Sequence, residues 1–404
     1  MIACFWLAAC GGSVEAGDLE LGCPGCEIDA PAEEAPSTPA AEPTPEESDA
    51  VAPEVSDPGE PDLEAPRPPE EPALLPAWYV RQSARDAGDG KSWATAFNDL
   101  QAALAVATFG DDVWIAAGIY TPSRTGDRAA SFVIRDGVAL YGGFAGHETR
   151  RTARDPARHL SVLSGDLAGD DQGDLEQYRV ENSELVVRII RVGDKTVLDG
   201  LSITGGYGRP GGAGVLILNG SPVIRNVAIH GNMNYGHGAG VYFDTGSPRF
   251  EDVVIADNWG FIGVGMSLWH SDATFVRVRF ERNYAYDFAA AINITDGSPQ
   301  FVDAVFEDNT AYGASAVSAQ HNLRPRVTKP RFVGTVFRGN EGSYLLQGLV
   351  AYGEEPLVVE VARSTVIENA QGRPGGWLFR GSVSVTDSTI ADNTFDKAPF
   401  GGAL

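Results

Sequence analysis

From Leu201 onward the apolar and polar positions recur. A short apolar run ends in Ile, Phe or Val and is followed three positions later by Asn: Ile229/Asn232, Ile255/Asn258, Phe280/Asn283, Phe306/Asn309, Phe337/Asn340, Val366/Asn369 and Ile390/Asn393. The Asn-to-Asn steps are 26, 25, 26, 31, 29 and 24 residues. A period of this length is the mark of a solenoid. Five positions before each anchor stands a second apolar series, Ile224, Phe250, Phe275, Phe301, Phe332, Val361 and Val385, which reads as an interior ladder.

Upstream of four anchors, small residues precede a short alternating strand. Side chains along a strand have period two, so Val215, Val241, Met266 and Ile292 are expected to point inward, with Ile217, Phe243, Leu268 and Ile294. Tyr242, Asp244, Trp269, Asn293 and Thr295, which lie between them, are expected to face solvent. Gly-Ser-Pro at 220–222, 246–248 and 297–299 marks a corner, because Gly and Pro supply the backbone angles of a turn. Each period therefore holds short strands and tight turns, with no room for a helix. Stacked periods pair each strand with its equivalent at about 4.8 Å, and equivalent Asn side chains can bond along their column. The predicted fold is all-β, a right-handed parallel β-helix over 201–404.

Ahead of it, 77–200 is read as a cap and irregular first coils. Trp93, Phe97, Leu100 and Leu104 have the spacing of an amphipathic helix, with Ser92 as N-cap. This helix is assigned as the cap that covers the first coil's open edge. Strands are expected at 113–116, 132–134, 138–141, 162–163 and 185–192, with a long loop at 165–184.

The F-x-x-N pattern with G-A-G-V before it resembles the repeats of chlamydial polymorphic outer-membrane proteins. More closely, the chain from Tyr79 is similar to bacterial surface β-helix proteins of the pectate-lyase-like superfamily. The similarity is carried by Ser92-Trp93 through Leu104, Val113 to Tyr120, Leu140 to Phe144 and Leu198 to Gly206. It implies the fold; that superfamily contains lyases, hydrolases, adhesins and autotransporter passengers, so activity does not follow.

Composition separates a different front end. Residues 1–76 hold 18 of the 55 acidic residues and a single Arg, and 27–76 hold 13 of the 25 Pro. Such a stretch cannot bury enough apolar surface to fold, so 11–76 is read as a disordered, acidic, Pro-rich tether. Fully extended, its Pro-rich part would reach about 150 Å at about 3.1 Å per residue. Leu7-Ala8-Ala9-Cys10 resembles a bacterial lipobox, which makes Cys10 the lipidation site and 1–10 an export signal too short to span a bilayer. No Lys or Arg precedes it, so the start of the natural chain is expected upstream. All 4 Cys fall before residue 27, which argues against a disulfide framework, a zinc site or a catalytic thiol in the folded part. Cys23-Pro24-Gly25-Cys26 reads as a local disulfide. Gly401-Gly402-Ala403-Leu404 matches the start of a coil, so the chain reads as cut off there.

Three constellations are candidates for chemistry. Gly236-His237-Gly238 resembles the Gly-His-Gly of polygalacturonase-type hydrolases, but the coil upstream lacks the paired carboxylates that inverting hydrolysis needs, and His237 occupies an ordinary turn slot. A lyase needs a basic group and, usually, Ca²⁺ held by carboxylates. Asp257, Arg282 and Asp308, with Asp252, Arg277 and Asp303, offer these types, yet they alternate in sign column by column, as a charge-compensated solvent face would. The third is aromatic. Tyr235, Phe261, Tyr286 and Tyr312 lie three residues beyond each Asn, with Trp259, Tyr284 and Phe288 nearby, and such a row either stacks on successive sugar rings or simply stabilises the turn. Tyr242 and Trp269, beside Asp244 and His270, form a further exposed candidate.

No cofactor motif is present, and no metal is called for; Ca²⁺ enters only with the lyase alternative. A pI near 4.5 without a basic stripe disfavours nucleic acid. The reading is an exported, lipid-anchored outer-membrane or cell-surface protein, monomeric, that binds extracellular polysaccharide or another surface partner without catalysis. The alternatives are a polysaccharide lyase or glycoside hydrolase acting on acidic glycans, and an adhesin or structural surface module.

Overall fold

The computed structural model describes residues 77–85, 88–171, 180–209, 211–322, 328–350, 357–371, 377–379 and 381–395. The export signal, Cys10, the tether and the terminal 396–404 lie outside the described residues, as does part of the expected loop 165–184. One regular coil sets the pattern. The chain runs through Val223–Arg225, Ala228–His230, Met233–His237 and Val241–Gly246, and each strand pairs in parallel with its equivalent in the next coil. These four strands belong to four separate parallel sheets, here the first to the fourth, which hold 11, 10, 8 and 9 strands among the described residues.

Two corners bend the chain, and both use the same device. Asn226, Asp252, Arg277 and Asp303 at the first corner have φ of 51°, 52°, 53° and 53°, as do Asp257, Arg282 and Asp308 at the second, at 53°, 49° and 53°. Asn, Asp and Gly tolerate this left-handed conformation best, which explains why they fill most of these columns. The residue after each left-handed one turns inward. At the first corner it is Val227, Val253, Val278 or Ala304; at the second it is the Asn of the ladder.

The two apolar columns are buried as expected. Phe250, Phe275, Phe301 and Phe332 stack in the first sheet at centroid distances of 5.0, 4.5 and 4.6 Å, and Phe280, Phe306 and Phe337 stack in the second at 4.9 and 4.9 Å. Ile390 of the last described coil departs from its column, being 47% exposed. The Asn column bonds through its whole length: Nδ2 of Asn258 reaches Oδ1 of Asn283 at 3.0 Å, and the same bond recurs from Asn232 at 3.1 Å to Asn369 at 2.8 Å. Each Nδ2 also donates to a carbonyl of the preceding coil, as Asn283 does to Ile255 at 2.9 Å.

The inward residues of the fourth sheet, Val215, Val241, Met266, Ile292, Ile217, Phe243, Leu268 and Ile294, are all buried. At the Gly-Ser-Pro corner successive backbones touch. A Cβ on Gly246 would lie 2.0 Å from the Gly220 carbonyl oxygen, so this position needs glycine. Tyr242, Asp244 and Trp269 are half-buried on the outer side, but Asn293 and Thr295, expected in solvent, are buried. The turn from third to fourth sheet folds over that side, so a Cβ on Gly263 would sit 2.8 Å from Asn293 Cβ. Asn293 Nδ2 in turn donates to Thr295 Oγ1 at 3.3 Å.

The first coils follow the expected strands closely, at Asp112–Ala116, Phe132–Ile134, Ala139–Phe144, Ser161–Ser164 and Val187–Ile190, with Ala77–Val80 at the edge of the first sheet. The helix differs. It spans Leu100–Val106 with Asp99 as its N-cap, accepting from Gln101 N at 2.9 Å, in place of Ser92. Phe97 cannot join it because its N–H donates to the Tyr79 carbonyl and its own carbonyl accepts from Arg81 N, which holds it extended. Trp93 packs elsewhere, in an outer cluster with Tyr79, Trp114, Tyr141 and Phe144. Leu100, Ala103 and Leu104 bury into the main core beside Val80 and Val113; the capping role of this helix stays an expectation.

Candidate functional site

Immediately after each Asn the chain enters the third sheet, whose inner positions are small. Gly260, Ala285 and Ala311 face inward, and a Cβ on Gly260 would lie 2.3 Å from the Asn234 carbonyl oxygen. Their neighbours must therefore point out, and these are aromatic. Trp259 pairs in register with Tyr284, and Tyr235, Phe261 and Tyr286 lie two residues further along each strand from Met233, Trp259 and Tyr284.

The rings form one contact network. Phe261 stacks on Tyr286 at 5.7 Å and Trp259 on Tyr284 at 6.4 Å, while Trp259 meets Tyr235 and Tyr286 edge to face at 5.7 and 5.2 Å. Edge-to-face packing of this kind stabilises the sheet. It also leaves surface: Phe261, Tyr284, Tyr286 and Tyr312 are 38%, 40%, 54% and 75% exposed. At the N-terminal end the Arg209 guanidinium lies 4.5 Å over the Tyr235 ring. Tyr284, read from the sequence as a neighbour of this row, is placed beside Trp259 by the strand register.

The fourth sheet carries a second constellation. His270 Nδ1 lies 2.8 Å from Asp244 Oδ1, its Nε2 is 3.9 Å from Asp296 Oδ2, and His321 Nδ1 is 3.5 Å from Asp296 Oδ1. Carboxylates and imidazoles thus alternate along the axis across successive coils, with Asp296 and His321 each 1% exposed. Trp269 stands beside this line and meets the His237 ring edge to face at 5.8 Å. Burial pushes the His237 imidazole down, and burial with the Asp244 charge pushes the Tyr242 hydroxyl up. Sequence reasoning found Asp244 and His270 but missed Asp296 and His321. Both follow His270 at the ordinary coil spacing, by steps of 26 and 25 residues.

The Asp/Arg columns are ion-paired. Arg282 grips Asp257 with two bonds of 2.8 Å and reaches Glu281 at 3.0 Å, and Arg277 grips Asp252 at 2.6 and 2.7 Å. Hydrogen bonding to Asp257 raises the Arg282 pKa, so this guanidinium is held protonated, the reverse of what a base requires. The set Asp257, Arg282, Asp308 is brought to one corner, with Arg282 turned to Asp257. Elsewhere, Asp166, Asp170 and Asp171 place carboxylate oxygens within 4.8 Å of one another, a donor type suited to Ca²⁺. Asp166 already accepts backbone bonds from Gly169, Asp170 and Asp171 at 2.7, 3.2 and 3.1 Å.

Residues 174–326 match the family model described as the right handed beta helix region. No curated protein matches the chain. Among solved structures, pectate lyase Pel9A is similar at 15% identity, with 81% of each chain covered and a TM-score of 0.43. A pectin methylesterase in complex with a hexasaccharide is similar at 13% identity, covering 67% of this chain and 80% of that one, with a TM-score of 0.35. The described residues fold as a right-handed parallel β-helix, in keeping with the match over 174–326.

Proposed function

We propose that the chain is a surface-displayed, lipid-anchored β-helix that binds polysaccharide through the aromatic face of its third sheet, without catalysis. The observation that carries the reading is that face, where Phe261, Tyr284, Tyr286 and Tyr312 remain 38% to 75% exposed although the two Phe columns already fill the interior. Sugars present C–H faces that pack on aromatic rings, and an exposed aromatic row along a sheet suits a partner of that kind. The lipobox-like Leu7-Ala8-Ala9-Cys10 and the acidic Pro-rich stretch support anchoring and display.

The test incubates the full chain with immobilised acidic and neutral polysaccharides, with and without Ca²⁺, and records retention, new reducing ends and absorbance of unsaturated products. Retention without product is expected, and Tyr286→Ala weakens it about three- to tenfold. Product formation would overturn the non-catalytic reading, and absence of retention on every polysaccharide would overturn binding.

A further inference from the structure

We infer that the aromatic face takes a neutral polysaccharide laid along the helix axis, with room for about four sugar units. The inference rests on the polysaccharide-binding reading and names its substrate class. Charge carries the first half. The strands Met233–His237, Trp259–Ile262, Tyr284–Phe288, Thr310–Ala311 and Glu341–Gly342 contain no Lys or Arg and two carboxylates, Asp287 and Glu341. Burial pushes the Asp287 carboxyl up. Arg209, at one end, already lies over the Tyr235 ring.

Along the corner that borders the face the cations are engaged as well. Arg282 pairs with Asp257 and Glu281, Arg279 with Glu281 and Glu307, and Arg338 with Glu307. A polyuronate brings one carboxylate per sugar to a surface that offers acids and paired arginines. Its desolvation would go uncompensated. A neutral glycan meets no such penalty and gains the ring contacts.

Geometry carries the second half. Tyr235, Phe261, Tyr286 and Tyr312 occupy four successive coils, and three steps of about 4.8 Å give a row about 14 Å long. A hexopyranose in an extended β-linked chain spans close to one such step, so one sugar falls on each rung. Across the axis the face is narrow. It is bounded by the ion-paired corner on one side and by the turn through Gly238 and Gly263 on the other.

Calorimetric titration of the full chain with β-1,4-linked glucose, mannose and xylose oligomers, from dimers to hexamers, and with galacturonate oligomers of the same lengths, tests both halves. Affinity for at least one neutral series is expected to rise with length, level off near the tetramer and stay unchanged by salt. Galacturonate oligomers are expected to bind at least about tenfold more weakly, and Tyr286→Ala and Tyr312→Ala each to cost about three- to tenfold. Tighter binding of galacturonate would overturn this inference and leave the polysaccharide reading standing. Affinity independent of length would overturn the axial arrangement. No binding of any series by a chain that circular dichroism shows to be folded would overturn the polysaccharide reading itself.

Discussion

Asn258 places two donors on one oxygen of Asn283: its Nδ2 at 3.0 Å and its backbone N–H at 3.2 Å both reach Asn283 Oδ1. The side chain of one coil therefore satisfies the backbone of its neighbour. It also satisfies the neighbour's side chain, in a place water does not enter.

Removing that oxygen strands both donors, so Asn283→Ala is expected to lower stability by about 3 kcal/mol, as two buried unsatisfied groups would. Asn393, in the last described coil, is only half-buried, and Asn393→Ala should cost less than about 1.5 kcal/mol. Urea denaturation of both variants measures the difference, and equal losses would contradict the ladder's energetic role.

Phe301 lies between Phe275 and Phe332 at 4.5 and 4.6 Å, whereas Tyr286 sits on the outer face. Phe301→Ala is expected to cost about 3–5 kcal/mol of stability. Tyr286→Ala should cost no more than about 1.5 kcal/mol. Glycan retention should respond in the opposite order when measured below both unfolding transitions.

Asp199, 1% exposed, accepts from Arg154 Nη2 and Arg225 Nε at 2.7 Å each and from Asn226 Nδ2 at 3.0 Å. Burial alone would push its carboxyl up, but the bonds from Arg154 and Asn226 and the Arg154 charge outweigh it and hold the group low. A depressed carboxyl contributes stability above the unfolded value near 3.9 and loses it as pH falls through the folded value. Asp199→Asn should therefore destabilise the chain by about 3 kcal/mol at neutral pH and flatten the acid limb of its stability curve. Thermal melts across the acid range check both effects.

His237 works with the opposite charge. Burial favours its neutral imidazole, so the unfolded chain takes up a proton near about 6.5 before the fold does. Stability is full above that value and falls as pH drops below it. His237→Gln should remove this part of the slope, which melting temperatures taken between neutral and mildly acid pH will show.

The repeat was legible because its columns keep one chemical character: Asn at one corner and Phe, Ile or Val in the two core ladders. The third sheet was hidden for the converse reason. Its inner positions are Asn234, Gly260, Ala285 and Ala311, which carry no apolar periodicity, so only its outward aromatics registered. The helix start moved because backbone pairing of Phe97 with Tyr79 and Arg81 overrode a helical spacing of side chains. Asn293 and Thr295 were assigned to solvent by strand alternation alone, which knows nothing of a turn folding back across the strand. The outer cluster around Trp114 and Phe144 stayed unread because a second core outside the coils has no signature in a period.

The strands of the regular coils pair in parallel with the coil before and the coil after, with local register shifts in the third and fourth sheets, and Asn283 addresses only those two neighbours. A whole period spliced in after Asn283 would find every one of its partners waiting, and the sheets already run on through coils whose steps vary from 24 to 31 residues. The extent of the ring face is thereby quantised. Lineages that gain or lose a coil would change their grip on a polymer by one sugar at a time, without redesigning any contact elsewhere.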